Sequence, residues 1–228
     1  MTAPGIIQAI HVGRTAPLRG NGQLAAFIKT PVTGSVAIHS LGIAGDEQTH
    51  RRVHGGPDKA VYAYALSDYV GWRAEFPEIA DRFGPGSMGE NLVVTGLDET
   101  SVHIGDIIRC GTALLQVSQI REPCAILADV MGTAKVVRAM VRSGRCGWYF
   151  RVLEPGSVAA GDPHTIIERP NPSWPISRFT PFAAGKGGTV EALQELTTLP
   201  GLTRYWRTKA EKALAAQSAP LTDVSSRA

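Results

Sequence analysis

The chain is poor in the residues that staple small domains or anchor them to a membrane. Its 228 residues contain three cysteines, Cys110, Cys124 and Cys146. That odd number, without CxxC spacing, argues against a disulfide framework or a zinc site and fits a reducing compartment. No apolar run approaches the ~20 residues that cross a bilayer. Residues 1–5 hold no basic segment leading into an apolar core, so no signal peptide is read there. The expectation is a cytoplasmic protein with no membrane partner. Charge of one sign is also scarce: 23 Lys and Arg against 20 Asp and Glu leave a net charge of +3. A dedicated nucleic-acid binder carries more, so no nucleic-acid partner is expected. A small excess still matters if it is focused on one anion.

What is present supports a sizeable core, with 43% hydrophobic and 19% charged residues. Short apolar runs separated by turn residues predict strands over 6–12, 25–29, 35–39, 60–66, 91–95, 106–110, 112–119, 148–153 and 165–168. A turn is expected at 30–34. Residues 60–66 are apolar on both faces, the pattern of a strand covered on both sides. Ser67 and Asp68 start a helix that carries Tyr69, Trp72 and Phe76 on one face, and Pro77 restarts it. A further helix is read over 136–142. Many short strands with one helical insertion predict a closed or nearly closed sheet. Three prolines in 170–175 suggest a linker. Beyond it, Thr189 caps a helix with Val190, Leu193 and Leu196, and 202–215 forms another. The fold class is therefore mainly β with α, with domains at 1–169 and 170–228, the second a small helical unit with its linker and a frayed tail.

Three segments carry candidate chemistry. In 45–59, Arg51, Arg52, His54 and Lys59 cluster beside Gly55-Gly56, where cations and glycine amides can hold a phosphate. The same segment also reads as a solvated hairpin loop. In Gly89-Glu90-Asn91-Leu92, Asn91 either donates to a ligand in a cleft or satisfies its own turn. In 117–124, a strand carrying Ser118 delivers Arg121, and Pro123 stiffens the backbone before Cys124. A nearby Arg suits a thiolate, and thiolates ligate thiophilic metals. The alternative is a small buried hydrophobe. Asp46 and Glu90 are candidate proton relays, and a Cys124–His54 hydrolase pair would lack a third member.

Together Gly45-Asp46-Glu47-Gln48, Val53-His54-Gly55-Gly56-Pro57-Asp58, Gly89-Glu90-Asn91-Leu92, Gly105-Asp106, Ser118-Gln119, Arg121, Pro123-Cys124, Gly147-Trp148 and Pro155-Gly156 resemble the MOSC domain family, in its YiiM-type subgroup. The resemblance implies a β-barrel-like MOSC domain with a three-helix C-terminal unit. It also implies binding of a molybdenum–molybdopterin cofactor, with Cys124 as metal ligand and catalytic centre. Arg51, Arg52, His54, Lys59, Asn91, Ser118 and Arg121 would then contact the cofactor. The implied activity is reduction of small N-hydroxylated compounds, such as 6-hydroxylaminopurine and other N-hydroxylated bases. A cofactor or sulfur carrier without turnover is the alternative. With no GxGxxG and no four-cysteine cluster, electrons would come from a separate flavin-type reductase. A homodimer is a further expectation.

Overall fold

The computed structural model describes residues 4–18, 22–49 and 55–218. Its strands, in chain order, are β1 (Gly5–Gly13), β2 (Ala16–Pro17), β3 (Leu24–Ala25), β4 (Lys29–Pro31), β5 (Val36–His39), β6 (Gly42–Ile43), β7 (Val61–Ala65), β8 (Leu92–Thr95), β9 (Ile107–Cys110), β10 (Ala113–Ile120), β11 (Trp148–Glu154), β12 (Gly156–Val158) and β13 (Pro163–Glu168). The helices are α1 (Asp68–Glu75), α2 (Ala125–Met131), α3 (Lys135–Ser143), α4 (Ile176–Ala183), α5 (Val190–Thr198) and α6 (Arg204–Ser218).

Seven strands close a barrel in the order β13-β9-β10-β11-β7-β8-β1, and β1 returns to β13 through Gly5↔His164 and Ile6↔Pro163. Closure demands bends, and these occur as register shifts in the pairings of β1, β10, β11 and β13. Every neighbouring pair is antiparallel except β7 and β8. A parallel pair needs a crossover, which here carries α1 and the 3-10 segment Pro77–Arg82. The expected barrel with helices is therefore what forms, and α4, α5 and α6 supply three C-terminal helices.

β7 is buried along its whole length, as its doubly apolar pattern requires. Phe150 on β11 meets His164 on the non-adjacent β13 at 5.6 Å between ring centroids, which identifies the barrel interior. Tyr62, Tyr64 and Tyr149 point the other way. The Trp72 indole of α1 donates to the Tyr64 hydroxyl at 2.5 Å, and the Tyr62 and Tyr149 rings lie 5.1 Å apart. This outer face, rather than the barrel lumen, underlies the cleft described below.

Several local expectations need correction. The stretch 25–29 is not one strand: β3 ends at Ala25, and β4 begins only at Lys29. The expected turn at 30–34 starts late, because Thr30 and Pro31 pair with Val12 and His11. Pro31 is tolerated there because β4 is an edge strand. Helix α2 follows Cys124 directly and had no periodic signal over its seven residues. Helix α4 was hidden by the neighbouring prolines and by Pro181 within it.

The proline-rich stretch 169–175 is tied down on both sides. Arg169 pairs with the buried Asp106 at 2.7 Å, and Asn171 Nδ2 donates to the Ile104 and Pro200 carbonyls at 2.7 and 2.8 Å. Trp174, Ile176, Phe179 and Trp206 join one continuous apolar core with the barrel.

Candidate functional site

A cleft of about 100 Å³ opens where the end of β10 meets the outer face of β7 and β11. Cys124, Arg121, Lys59, Tyr149, Phe27 and Asp46 are among the residues on its walls. Cys124 sits at the N-cap of α2, in extended conformation (φ −133°, ψ 166°), and is only partly buried. Cys110 and Cys146 are buried and neither is on the cleft wall. Burial pushes the Cys110 thiol up to about 12 and raises that of Cys146 well above the usual range.

Arg121 is the organising cation. The residue is almost entirely buried, 4% exposed. Nη2 lies 3.5 Å from Cys124 Sγ, and Nη1 lies 3.5 Å from the Met140 sulfur of α3. The Phe27 ring covers it at 5.9 Å. Burial works against its charge, yet the surrounding Tyr62 phenol and Cys124 sulfur more than offset this, so it stays protonated. Lys59 ends the turn Pro57–Lys59 and reaches over the Tyr149 ring at 5.8 Å. Burial, with Arg121 nearby, draws its amine below the ordinary lysine value. Burial likewise lifts the Tyr149 phenol to about 12. Three cations (Lys29, Lys59 and Arg121), the carboxylates of Asp46 and Glu47, one sulfur and aromatic walls therefore share the cleft.

Asn91 borders the cleft, but its polar atoms are committed. Oδ1 accepts from the Tyr62 amide at 3.1 Å, and Nδ2 donates to the His11 carbonyl at 3.2 Å and to Asp46 at 2.9 Å. Its visible work is to hold Asp46, which also accepts from the Gly13 amide at 2.7 Å and pairs with the buried Lys29. Ser118 is not on the cleft wall. Its hydroxyl is fully buried, 2.5 Å from the Asp58 carbonyl and 3.1 Å from that of Tyr149. Of the two expected proton relays, Asp46 stands on the cleft wall with its carboxylate held by Asn91, Gly13 and Lys29, and Glu90 does not reach the cleft. Glu90 is sealed inside, accepting from Tyr69, Gly86 and Met88, and burial raises its carboxyl. Arg51, Arg52 and His54 lie outside the described residues. The sequence did not single out Phe27 or Tyr149. Tyr149 was discoverable as the cross-strand partner of Tyr62, whereas Phe27 carries no pattern in its loop.

Among the described residues, no group of three or more His, Cys, Asp or Glu could hold a metal. The cleft offers one soft donor, the Cys124 sulfur, beside the Arg121 and Lys59 cations, while the Asp46 carboxylate on its wall is already paired with Lys29. That fits a metal arriving in an anionic organic chelate that brings its other ligands.

The family model for the MOSC domain matches residues 50–165. The chain belongs to the MOSC family. It is 41% identical to the protein YiiM of Escherichia coli K12 over 148 residues, 65% of this chain and 66% of that one. It is 34% identical to a protein named Reductase from Gibberella moniliformis over 86% of this chain but only 35% of that protein. The crystal structure of YiiM from Geobacillus stearothermophilus superposes with a TM-score of 0.78 at 31% identity, covering 92% of this chain and all of that one. This MOSC protein is thus of the YiiM type. Its matched region spans just under two thirds of the E. coli relative's length and about a third of the fungal one's.

Proposed function

We propose that the protein is a molybdenum-cofactor-dependent oxidoreductase that reduces small N-hydroxylated compounds, including N-hydroxylated bases. The observation that carries this reading is the partly exposed Cys124 sulfur, 3.5 Å from the Arg121 guanidinium in an open cleft that Lys59 also lines. Membership of the MOSC family and the relative named Reductase support it.

In this reading Cys124 ligates the metal. Arg121 donates to the sulfur and fixes its direction, with its own position set by Met140 and Phe27. Lys59, with Arg51, Arg52 and His54, neutralises the phosphate of the molybdopterin. Asn91 acts indirectly, by holding Asp46 at the cleft edge. Tyr149 and Phe27 give apolar walls against which a planar ring can lie. When bound, the cofactor supplies the two-electron chemistry R–NHOH + 2 e⁻ + 2 H⁺ → R–NH₂ + H₂O. The electrons come from a separate flavin-type reductase, and the work is done in the cytoplasm.

The test is turnover of 6-hydroxylaminopurine by protein loaded with cofactor and given an artificial electron donor. Cys124→Ser abolishes the activity and releases the molybdenum while the thermal melt stays within a few degrees of the wild type. Equal turnover by mutant and wild type would overturn the assignment.

A further inference from the structure

Arg151, on β11, sends every nitrogen of its guanidinium to a partner. Nε and Nη2 donate to Asp58 Oδ1 at 2.9 and 2.6 Å. Nη1 donates to Gln116 Oε1 at 2.8 Å and to the Gly201 carbonyl at 3.0 Å. Four segments that are far apart in sequence meet on this group: the turn Pro57–Lys59, β10, β11 and the loop between α5 and α6. That loop has little freedom. Gly201 holds φ +81°, and a Cβ there would fall 2.5 Å from the Gly105 Cα. Asn171 Nδ2 holds the Pro200 carbonyl at 2.8 Å, and the Thr203 amide donates to the Ser118 carbonyl at 3.2 Å. On the other side of the knot, the Asp58 carbonyl receives the Ser118 hydroxyl, and the next residue is Lys59.

We infer that Arg151 is a positioning residue for the cleft, and that through it the C-terminal helical unit holds Lys59 in place: Gly201 to Arg151, Arg151 to Asp58, Asp58 to Lys59. The inference rests on the anion-gripping part of the proposed function. It gives the helical unit a share in the site itself. A second, looser tie runs the same way. Tyr205 Oη and Lys209 Nζ of α6 lie 3.4 and 3.9 Å from Glu122, the residue after Arg121. Contacts of this exposed kind are weak, so the Arg151 knot carries the argument.

Plain electrostatics and positioning predict opposite signs for the same substitution. Asp58→Asn removes a negative charge beside the cleft, so Coulomb's law alone predicts tighter anion binding. Positioning predicts weaker binding, because the tie from Arg151 to the turn loses its charge-assisted strength and keeps only a neutral acceptor. Arg151→Lys keeps the charge but cannot bridge Asp58, Gln116 and Gly201 together. The probe is inorganic pyrophosphate, titrated calorimetrically into the full chain. Asp58→Asn and Arg151→Lys are both expected to weaken its binding about tenfold, the loss of one charge-assisted contact. Tighter binding in the first and no change in the second overturn the inference. Lys59→Met is the reference. If it leaves pyrophosphate binding unchanged, the anion-gripping reading has failed, and hydrogen exchange then decides the positioning role by itself. Asp58→Asn should speed amide exchange in residues 55–60 and in 199–203 together, about tenfold, with the barrel strands unchanged. Faster exchange in the turn alone, or in neither segment, overturns the coupling.

Discussion

The Arg121 guanidinium lies 3.5 Å from the sulfur of Cys124, three residues further along a backbone stiffened by Pro123. With Nη1 set against the Met140 sulfur and Phe27 covering the group, Arg121 is held from two sides and turns Nη2 to that thiol. Arg121→Gln keeps a donor but loses the charge and the fork. Protein purified with cofactor should then retain molybdenum about 10- to 100-fold less tightly, the usual cost of losing a group that orients a metal ligand. Elemental analysis after exhaustive dialysis reads this directly. Retention equal to the wild type would detach Arg121 from the metal.

Phe27 can cover Arg121 only because residue 89 has no side chain. Gly89 holds φ +79°, and a Cβ there would come within 2.9 Å of the Phe27 ring. Gly89→Ala therefore costs backbone strain of about 1–2 kcal/mol and displaces the ring as well. The expected result is a melting temperature lower by roughly 5 °C, together with faster alkylation of Cys124 by iodoacetamide as the wall opens. An unchanged melt and an unchanged alkylation rate would show that the ring does not cover this cleft.

The sequence carried the barrel well because its strands are short, apolar and separated by glycine-rich turns. Residues 60–66 even announced burial on both faces, and β7 is so buried. It carried Cys124 and Arg121 together because Pro123 makes that spacing conspicuous. What it missed depends on long-range pairing or on short range without period. Helix α2 is seven residues long, and α4 contains Pro181. Ser118 and Arg121 belong to one motif, yet Ser118 falls in the register shift between Val117 and Gln119 and bonds to the Asp58 and Tyr149 carbonyls, so only Arg121 reaches the cleft. Arg151 drew no notice, since nothing in its neighbourhood indicates that Asp58 and Gly201 converge on it.

Asp68, at the start of α1, and Glu99 form a buried carboxyl pair against the backbone just before β11. Glu99 accepts from the Cys146 and Gly147 amides at 2.9 and 2.6 Å, while Asp68 Oδ2 is buried with no hydrogen-bond partner. Burial and the neighbouring Glu99 push the Asp68 carboxyl up to about 8, so the folded protein keeps a proton that the unfolded chain has released. Between the ordinary aspartate value and about 8, the folded state binds more protons. Stability from this group is therefore full at acid pH and drains away as pH rises toward 8. Asp68→Asn should flatten that decline, so that the variant gains on the wild type in urea melts at pH 8 relative to pH 5. A difference that does not vary with pH would mean that the pair shares no proton.

His164 imposes the opposite dependence. It lies inside the barrel, wholly buried, edge-on to Phe150, and both ring nitrogens lack a partner. Burial lowers its pKa from the usual 6.5 to about 4. The unfolded chain takes up a proton below pH 6.5 that the folded barrel refuses until about pH 4, so stability falls as pH drops through this window. A shift of this size corresponds to about 3 kcal/mol lost between the two ends. His164→Met fills a similar space without polar atoms. At pH 7 it should be at least as stable as the wild type, because an unpaired buried ring is itself costly by about 1–3 kcal/mol. Its advantage should grow as the buffer is taken to pH 4.5. Urea unfolding at pH 7, 6, 5 and 4.5 gives the comparison, and parallel curves for the two proteins would show that His164 finds a proton acceptor or solvent inside the barrel.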